Sequence, residues 1–136
     1  MNDPMIKEME AAYETIKDAR KSEEKNEAVT RVVQKYFPPG MEVEVALKQL
    51  HEKGFEISEY RYDGARSWPD GEFKPWDEEL RRNIQSRYRK DQVSYFASQN
   101  YGFIIKVPAT KEARIIIESD GERIIKTNGY IFLHGI

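Results

Sequence analysis

Residues 37–55 read Phe-Pro-Pro-Gly-Met-Glu-Val-Glu-Val-Ala-Leu-Lys-Gln-Leu-His-Glu-Lys-Gly-Phe, and this stretch decides how the chain folds. Two prolines and a glycine turn the chain, and apolar side chains then recur at helical spacing, at Val43, Ala46, Leu47 and Leu50. Gly54 suits the left-handed conformation that closes a helix. The stretch therefore predicts a turn followed by a short helix over about residues 41–52.

The residues after this helix predict a strand and then a loop. Phe55, Ile57, Tyr60 and Tyr62 supply the apolar side chains of the strand. Glu56 and Glu59 would be its solvated positions, apart from one slip of phase. Residues 63–77 contain four glycine or proline residues among spaced aromatic residues, which is typical of a loop with aromatic anchors.

A second helix is predicted after this loop. An apolar residue recurs every fourth position, at Trp76, Leu80, Ile84 and Tyr88. Asp77 and two glutamates come before a run of arginines, an order that matches the dipole of a helix at both ends. The β-prone residues 93–96 leave an early strand as the alternative.

From residue 92 the pattern changes to strands. Runs of β-branched and aromatic residues occupy 92–97, 101–107, 113–118 and 122–133. Asp120-Gly121 predicts a tight hairpin turn, because this pair readily adopts positive φ angles. Asn100, Pro108 and Asn128-Gly129 are the other punctuating positions. The pattern predicts an antiparallel meander of about four strands.

The N-terminal third is predicted to be helical. An apolar stripe begins after Asp3-Pro4, a plausible helix start, and resumes at residues 28–36. Residues 20–27 have no apolar side chain, which indicates a break near Ser22 or Asn26 or, alternatively, an exposed part of one long helix. The break is favoured because serine and asparagine prefer helix caps.

Together these patterns predict the α+β class, with N-terminal helices packed on one face of a C-terminal antiparallel sheet. The length of 136 residues fits a single domain over residues 1–136. Within it, residues 1–28 could form a peripheral N-terminal helix. Residues 29–136 would then hold the helix-turn-helix and the sheet.

Composition narrows the classes of function. The 22 basic and 24 acidic residues give a net charge of -2, which disfavours general nucleic-acid binding. The absence of cysteine excludes disulfides and thiolate zinc sites and fits a reducing compartment. No apolar run reaches the roughly 18 residues of a membrane span, and the opening Met-Asn-Asp-Pro lacks the features of a signal peptide. We therefore expect a cytoplasmic protein.

The order of features in residues 37–55 resembles the opening of the SmpA/OmlA outer-membrane assembly lipoproteins. These features are an aromatic residue, a glycine turn, Met41, a short helix and a Gly-Phe pair that leads into a strand. Over about residues 29–133 the layout is also similar to the fold of the β-lactamase inhibitor protein. The resemblance implies a scaffold used for binding, especially for covering enzymes, and several cytoplasmic immunity proteins of bacterial toxin systems look like it in size and layout. The chain lacks the lipidated cysteine and the disulfide of these families.

Catalytic, metal-binding and cofactor-binding residues are not predicted. His51 is expected on the solvent side of its helix and His134 at the end of the last strand, with no nucleophile or orienting partner recognisable for either. Asp63, Asp70 and Asp77 lack the spacing of a calcium loop and are expected to form turns.

A basic cluster near residue 85 has two readings. Its members are Arg81, Arg82, Arg87, Arg89 and Lys90. With the aromatic residues nearby, they could follow a nucleic-acid strand. Seven acidic residues between Glu59 and Glu79 instead favour a salt-bridged helix face or a protein-contact patch.

Aromatic residues in the 60–76 segment are the strongest hint of function. Tyrosine, tryptophan and arginine concentrate binding energy at protein interfaces. We therefore predict a partner-binding site made of Tyr60, Tyr62, Asp63, Arg66, Trp68, Asp70, Phe73 and Trp76. The alternative is that the rings fill the core beneath a loop.

The favoured function is a non-enzymatic protein-binding module, specifically a cytoplasmic immunity or inhibitor protein that blocks a toxin or enzyme by occlusion. Its interface would bury about 1,600 Å². Acidic residues would meet a basic partner, the candidates being Glu56, Glu59, Asp63 and Asp70. The alternatives are an envelope assembly factor with a trimmed N-terminus, a phage-type inhibitor of a host defence complex, and an enzyme or ligand carrier with a pocket beside His51 or His134.

Overall fold

The computed structural model describes residues 3–16, 18, 20–104 and 109–134. Along this part of the chain, three helices are followed by three strands, a fourth helix and three more strands. The helices are α1 Pro4–Thr15, α2 Ser22–Tyr36, α3 Val43–Glu52 and α4 Glu78–Gln85. The strands are β1 Glu56–Arg61, β2 Gly64–Trp68, β3 Lys74–Pro75, β4 Val93–Ile104, β5 Ala109–Ser119 and β6 Ile124–His134.

The predicted break between the first two helices is confirmed, and a lysine stabilises it. The side chain of Asp3 caps α1 by accepting a hydrogen bond from the Met5 amide at 2.8 Å. At the other end, the buried Lys25 ammonium donates to the Tyr13 carbonyl at 3.1 Å and to the Ile16 carbonyl. Such carbonyls have no partner within their helix and carry partial negative charge. Lys25 therefore ties the start of α2 to the end of α1.

The helix α1 belongs to the core. Met5 and Met9 are fully buried, and Ile6 is nearly so. They pack in one cluster with side chains of α2, α3 and the sheet. The N-terminal segment described from Pro4 to Thr15 is therefore not peripheral, in contrast to the expectation for residues 1–28.

The turn-helix-turn of residues 37–55 forms as predicted. The helix α3 buries the predicted apolar stripe, Val43, Ala46, Leu47 and Leu50. Gly54 has a φ of 93° after the last turn, and its amide donates to the His51 carbonyl at 3.0 Å. Because Gly54 adopts this left-handed backbone conformation, the chain changes direction and β1 begins two residues later.

In the described part of the chain the sheet is antiparallel and has six strands in the order β3-β2-β1-β4-β5-β6, so the prediction of about four strands was wrong. Two strands, β2 and β3, lie inside the segment 63–77 that was predicted to be a loop. Runs 92–97 and 101–107 belong to a single strand as far as residue 104, and residues 105–107 lie outside the described part. The expected break at Asn100 is a bulge in the β4–β5 pairing, because one extra residue there leaves the strand continuous.

The predicted hairpin at Asp120-Gly121 is confirmed, whereas Asn128-Gly129 is not a break. Asp120 accepts hydrogen bonds from the amides of Glu122 and Arg123, and these bonds hold the pKa of its carboxyl below the usual value. Gly129 lies within β6, where the strand passes close to α2. There the Thr30 hydroxyl bonds both the amide and the carbonyl of Gly129, at 3.1 and 3.2 Å.

Alternation along the strands gives the sheet two different faces. On the helix-covered face, side chains from neighbouring strands are buried against α1, α2 and α3, among them Ile57, Tyr95, Ala97, Ile115 and Ile117. On the other face, which we call the open face, the side chains are half-buried or exposed, as at Ser58, Phe96, Arg114, Tyr130 and Phe132. The single-sided placement of α1 to α3 follows the predicted α+β arrangement.

Candidate functional site

The predicted binding residues of the 60–76 segment are divided between the two faces of the sheet. Trp68 pairs with Ile57 and Arg66 with Glu59 in the β1–β2 register, so both side chains lie on the helix-covered face. Tyr60 belongs to the open face and stacks on Trp76. The structure therefore does not bring the predicted residues together as one surface.

Glu59 is buried, which corrects its assignment as a solvated strand position and as an acidic contact for a partner. Its exposed fraction is 2%. Arg66 donates to its carboxylate from Nε at 3.1 Å and from Nη2 at 3.2 Å, and Arg61 donates from Nε at 2.8 Å. Burial acts to raise the pKa of Glu59, but the hydrogen bonds from Arg66 and Arg61 outweigh it and lower the pKa overall. Arg66 thus has a structural partner within the chain.

Trp68 is half-buried, and its indole packs against the core. The His51 ring meets it edge-on with 5.8 Å between ring centroids. Phe73 lies over Gly64, where the ring occupies the space that a side chain would need. Tyr62 is half-buried in the β1–β2 turn. Most of this aromatic cluster therefore supports the edge of the sheet.

The remaining two aromatic residues of the predicted site, Tyr60 and Trp76, form the floor of a groove beside α4. Their rings are nearly parallel, at an interplanar angle of 6° and a centroid distance of 6.1 Å. The Trp76 indole donates to the Arg61 carbonyl at 2.9 Å, which fixes the ring against β1. We call this space of about 430 Å³ the α4 groove, and it is lined by Tyr60, Arg61, Trp76, Leu80, Asn83, Ile84, Arg87 and Tyr88.

The wall of the groove is an amphipathic helix that buries nothing. The predicted helix is confirmed as α4, and the alternative of an early strand was wrong. Asp77 caps it by accepting from the Leu80 amide at 2.8 Å. None of its residues is buried, Leu80 is 41% exposed, and Tyr88, which follows the helix, is 40% exposed. A helix with an apolar stripe is stable when that stripe is covered, so this stripe is available to an additional molecule.

A second group on the open face was missed by the sequence analysis. The Arg114 guanidinium lies between two rings, 4.1 Å from the Phe132 centroid and 5.6 Å from the Phe96 centroid. Glu112 accepts from Arg114 Nε at 2.6 Å and also contacts His134, which stacks on Phe132. The hydrogen bond from Arg114 lowers the pKa of Glu112, burial opposes this, and the contact with His134 adds to the lowering. The alternation of side chains predicted that these residues lie on strands. The pairing register of the strands, which brings the residues together, could not be predicted from the sequence.

We expect Arg114→Ala to lower the free energy of unfolding at pH 7 by about 1–2 kcal/mol, because it removes two cation–π contacts and the charge-assisted hydrogen bonds to Glu112. Urea unfolding measures this loss. Since the folded pKa of Glu112 is lowered, its contribution is present above the carboxyl's ordinary pKa and disappears as the pH falls, so the difference between variant and wild type should shrink at acid pH. Lys126→Ala, at an exposed position, serves as control, and an equal loss in both variants would contradict the role of Arg114.

Both histidines lie where they were predicted, and two members of the basic cluster form ion pairs within the chain. His51 is exposed on α3, as predicted, and His134 is the last residue of β6, as predicted. In the basic cluster Arg82 pairs with Glu78 at 3.3 Å and Arg89 with Asp91 at 3.8 Å. Within residues 3–16, 18, 20–104 and 109–134, no three histidine or acidic side chains gather as metal ligands.

Comparison with known proteins gave no relative. No protein-family model, curated protein or solved structure matched the chain. None of the described helices has the length and apolar character needed to cross a membrane.

Proposed function

We propose that this protein is a non-enzymatic protein-binding module that takes a partner protein into the α4 groove. The observation that carries the proposal is the amphipathic helix α4, which buries none of its residues and leaves Leu80 exposed next to the stacked Tyr60 and Trp76 rings. Large aromatic side chains held in place lose little entropy when a partner covers them, which makes them effective binding residues.

The partner would be a toxin or an enzyme, and the protein would act in the cytoplasm as its immunity or inhibitor protein. This part of the proposal rests on the likeness in size and layout to such proteins and on a mechanism that needs no chemistry. The groove and the open face of the sheet are the two surfaces that could contribute, and a stable interface of ordinary size needs about 800 Å² from each partner. Covering the active site of the partner with this surface would inhibit it.

The test starts with capture of partners on the immobilised chain, followed by purification of any captured protein and an assay of its activity. We expect wild-type protein to inhibit that activity. Leu80→Asp should weaken the affinity by about tenfold or more, because a carboxylate would enter the apolar wall of the groove. Leu80 is 41% exposed, so the fold should tolerate the change.

The matched control is Glu79→Ala, on the same helix but outside the groove lining, and it should bind and inhibit like the wild type. Equal affinity of Leu80→Asp and Glu79→Ala would move the binding surface away from α4. Tight binding without inhibition would remove the inhibitor role and leave only the binding module.

A further inference from the structure

We propose that the partner segment which enters the α4 groove carries an apolar side chain next to a carboxylate. This inference rests on the proposed function and names the chemistry of its partner. The groove combines apolar and aromatic walls with two cationic residues in its lining, Arg61 and Arg87. None of the groove-lining residues is acidic. An anionic group on the partner would complement this charge.

The charge of Arg61 is only partly compensated within the chain. Arg61 and Arg66 share a single carboxylate, that of Glu59, at 2.8 and 3.1 Å. Two guanidinium groups against one carboxylate leave one positive charge. Arg66 is the more buried of the two, and its fork closes on both Glu59 oxygens, so the excess charge lies on the side of Arg61, a residue that lines the groove while its guanidinium bonds Glu59.

The second cation, Arg87, lies just after α4. Two of its exposed neighbours in the basic cluster have acidic partners, Glu78 for Arg82 and Asp91 for Arg89. No carboxylate that the structure describes lies within 4.0 Å of the Arg87 side chain. A carboxylate from outside the chain can therefore pair with Arg87 without displacing an existing ion pair.

The apolar and aromatic walls of the groove determine which apolar side chain of the partner fits. The stacked Tyr60 and Trp76 rings and the side chains of Leu80 and Ile84 enclose space for one large side chain, and the volume of about 430 Å³ leaves room for the neighbouring residue as well. Aromatic faces can also attract cations. The positive charges of Arg61 and Arg87 disfavour a cation in the groove, so an aromatic or aliphatic side chain beside an acid is favoured over one beside a lysine. This reverses the expected charge pattern, in which acidic residues of this chain would meet a basic partner.

Three end-blocked peptides test the chemistry with the full chain: Gly-Phe-Glu-Gly, Gly-Phe-Lys-Gly and Gly-Ala-Glu-Gly. The chain has two tryptophans, and their indole N–H signals in NMR titrations report separately. Trp76 floors the groove, whereas Trp68 lies on the other face and serves as internal reference. We expect the Phe-Glu peptide to shift the Trp76 signal at millimolar concentration, at least about fivefold more tightly than either of the other two.

Arg87→Gln should reduce the preference for the Phe-Glu over the Phe-Lys peptide to about twofold or less, whereas Arg89→Gln, outside the groove lining, should leave it unchanged. Equal binding of the Glu and Lys peptides to the wild type, or no shift of Trp76 by the Phe-Glu peptide, would overturn the inference. Acid-selective peptide binding without any protein partner would instead contradict the proposed function alone. A partner that needs Leu80 but does not distinguish Arg87→Gln from wild type would contradict the inference alone.

Discussion

Gly129→Ala is expected to lower the free energy of unfolding by about 2–3 kcal/mol, at the upper end of what overpacking costs. A Cβ atom at this position would lie 2.4 Å from Val33 Cγ2 and 3.2 Å from Val29 Cγ1. Both valines are fully buried and have stiff side chains, so α2 itself would have to move away from β6. That movement would also stretch the two hydrogen bonds between Thr30 and the Gly129 backbone. Urea unfolding measures the loss.

Two controls separate the clash from general effects of replacing glycine. Gly102→Ala, in β4, would place its Cβ no closer than 3.9 Å to Lys111, so a neutral or slightly stabilising effect is expected there. In a Val33→Ala background, Gly129→Ala should cost at least about 1 kcal/mol less than in the wild type, because the closest contact has gone. A similar cost in both backgrounds would show that Val33 is not the obstacle.

A loss of about 3 kcal/mol at pH 7 is expected when Arg61 and Arg66 are both replaced by methionine. The double variant leaves the Glu59 carboxylate buried without either of the guanidinium groups that now bond it. A buried charge without a partner is costly, whereas methionine keeps most of the packing of an arginine stem. Urea unfolding between pH 7 and pH 4 measures both the loss and its pH dependence.

The contribution of Glu59 to stability depends on pH with opposite signs in the wild type and in the double variant. In the wild type the folded pKa of Glu59 is lowered, so its contribution to stability is present above the ordinary carboxyl pKa and is lost as the pH falls through the folded pKa. In the double variant burial alone acts and raises the folded pKa, so the penalty present at neutral pH is relieved as the pH falls. The stability difference should therefore narrow toward pH 4. Burial raises the pKa of the neighbouring Tyr95 to about 12, so this phenol stays neutral throughout.

Adding Glu59→Leu to the double variant should restore most of the stability at pH 7, because no charge then remains in the buried position. Arg82→Met, which breaks the exposed pair with Glu78, should change the stability by less than about 0.5 kcal/mol. A double variant as stable as Arg82→Met would show that Glu59 reaches water in the folded protein. Such a result would also contradict the description of Glu59 as a buried carboxylate.

Helices and turns were predicted correctly where their cause lies within a few neighbouring residues. The turn-helix-turn of residues 37–55 depends on glycine backbone freedom and on an apolar stripe within ten residues, so α3 forms where it was predicted. The hairpin at Asp120-Gly121 and the helix after Asp77 have causes of the same kind, a turn-forming pair and a capping aspartate. Asn100 and Asn128-Gly129 carry turn-forming residues as well, but cross-strand pairing and contact with α2 keep both inside strands.

The predicted binding site was only partly recognisable for the same reason. Alternation along β2 sends Arg66 and Trp68 to one face of the sheet, while Tyr60 meets Trp76 on the other, and nothing in their spacing reveals which face helices will cover. The amphipathic stripe of α4 was read from the sequence. The exposure of this helix could not be predicted from the sequence, because exposure depends on which elements pack nearby.

The sequence by itself determined the α+β class, the positions of the main helices, the break between α1 and α2 and the tight hairpin of the last strands, since each depends on backbone preference or on periodicity along a few neighbouring residues. The tertiary structure alone decided the burial of Glu59 between two arginines, the approach of α2 to Gly129, the Arg114 stack and the α4 groove. Each of these joins residues from different elements. Their distances are set by strand register and by the packing of helices on one face, which are properties of the whole chain and of no single segment.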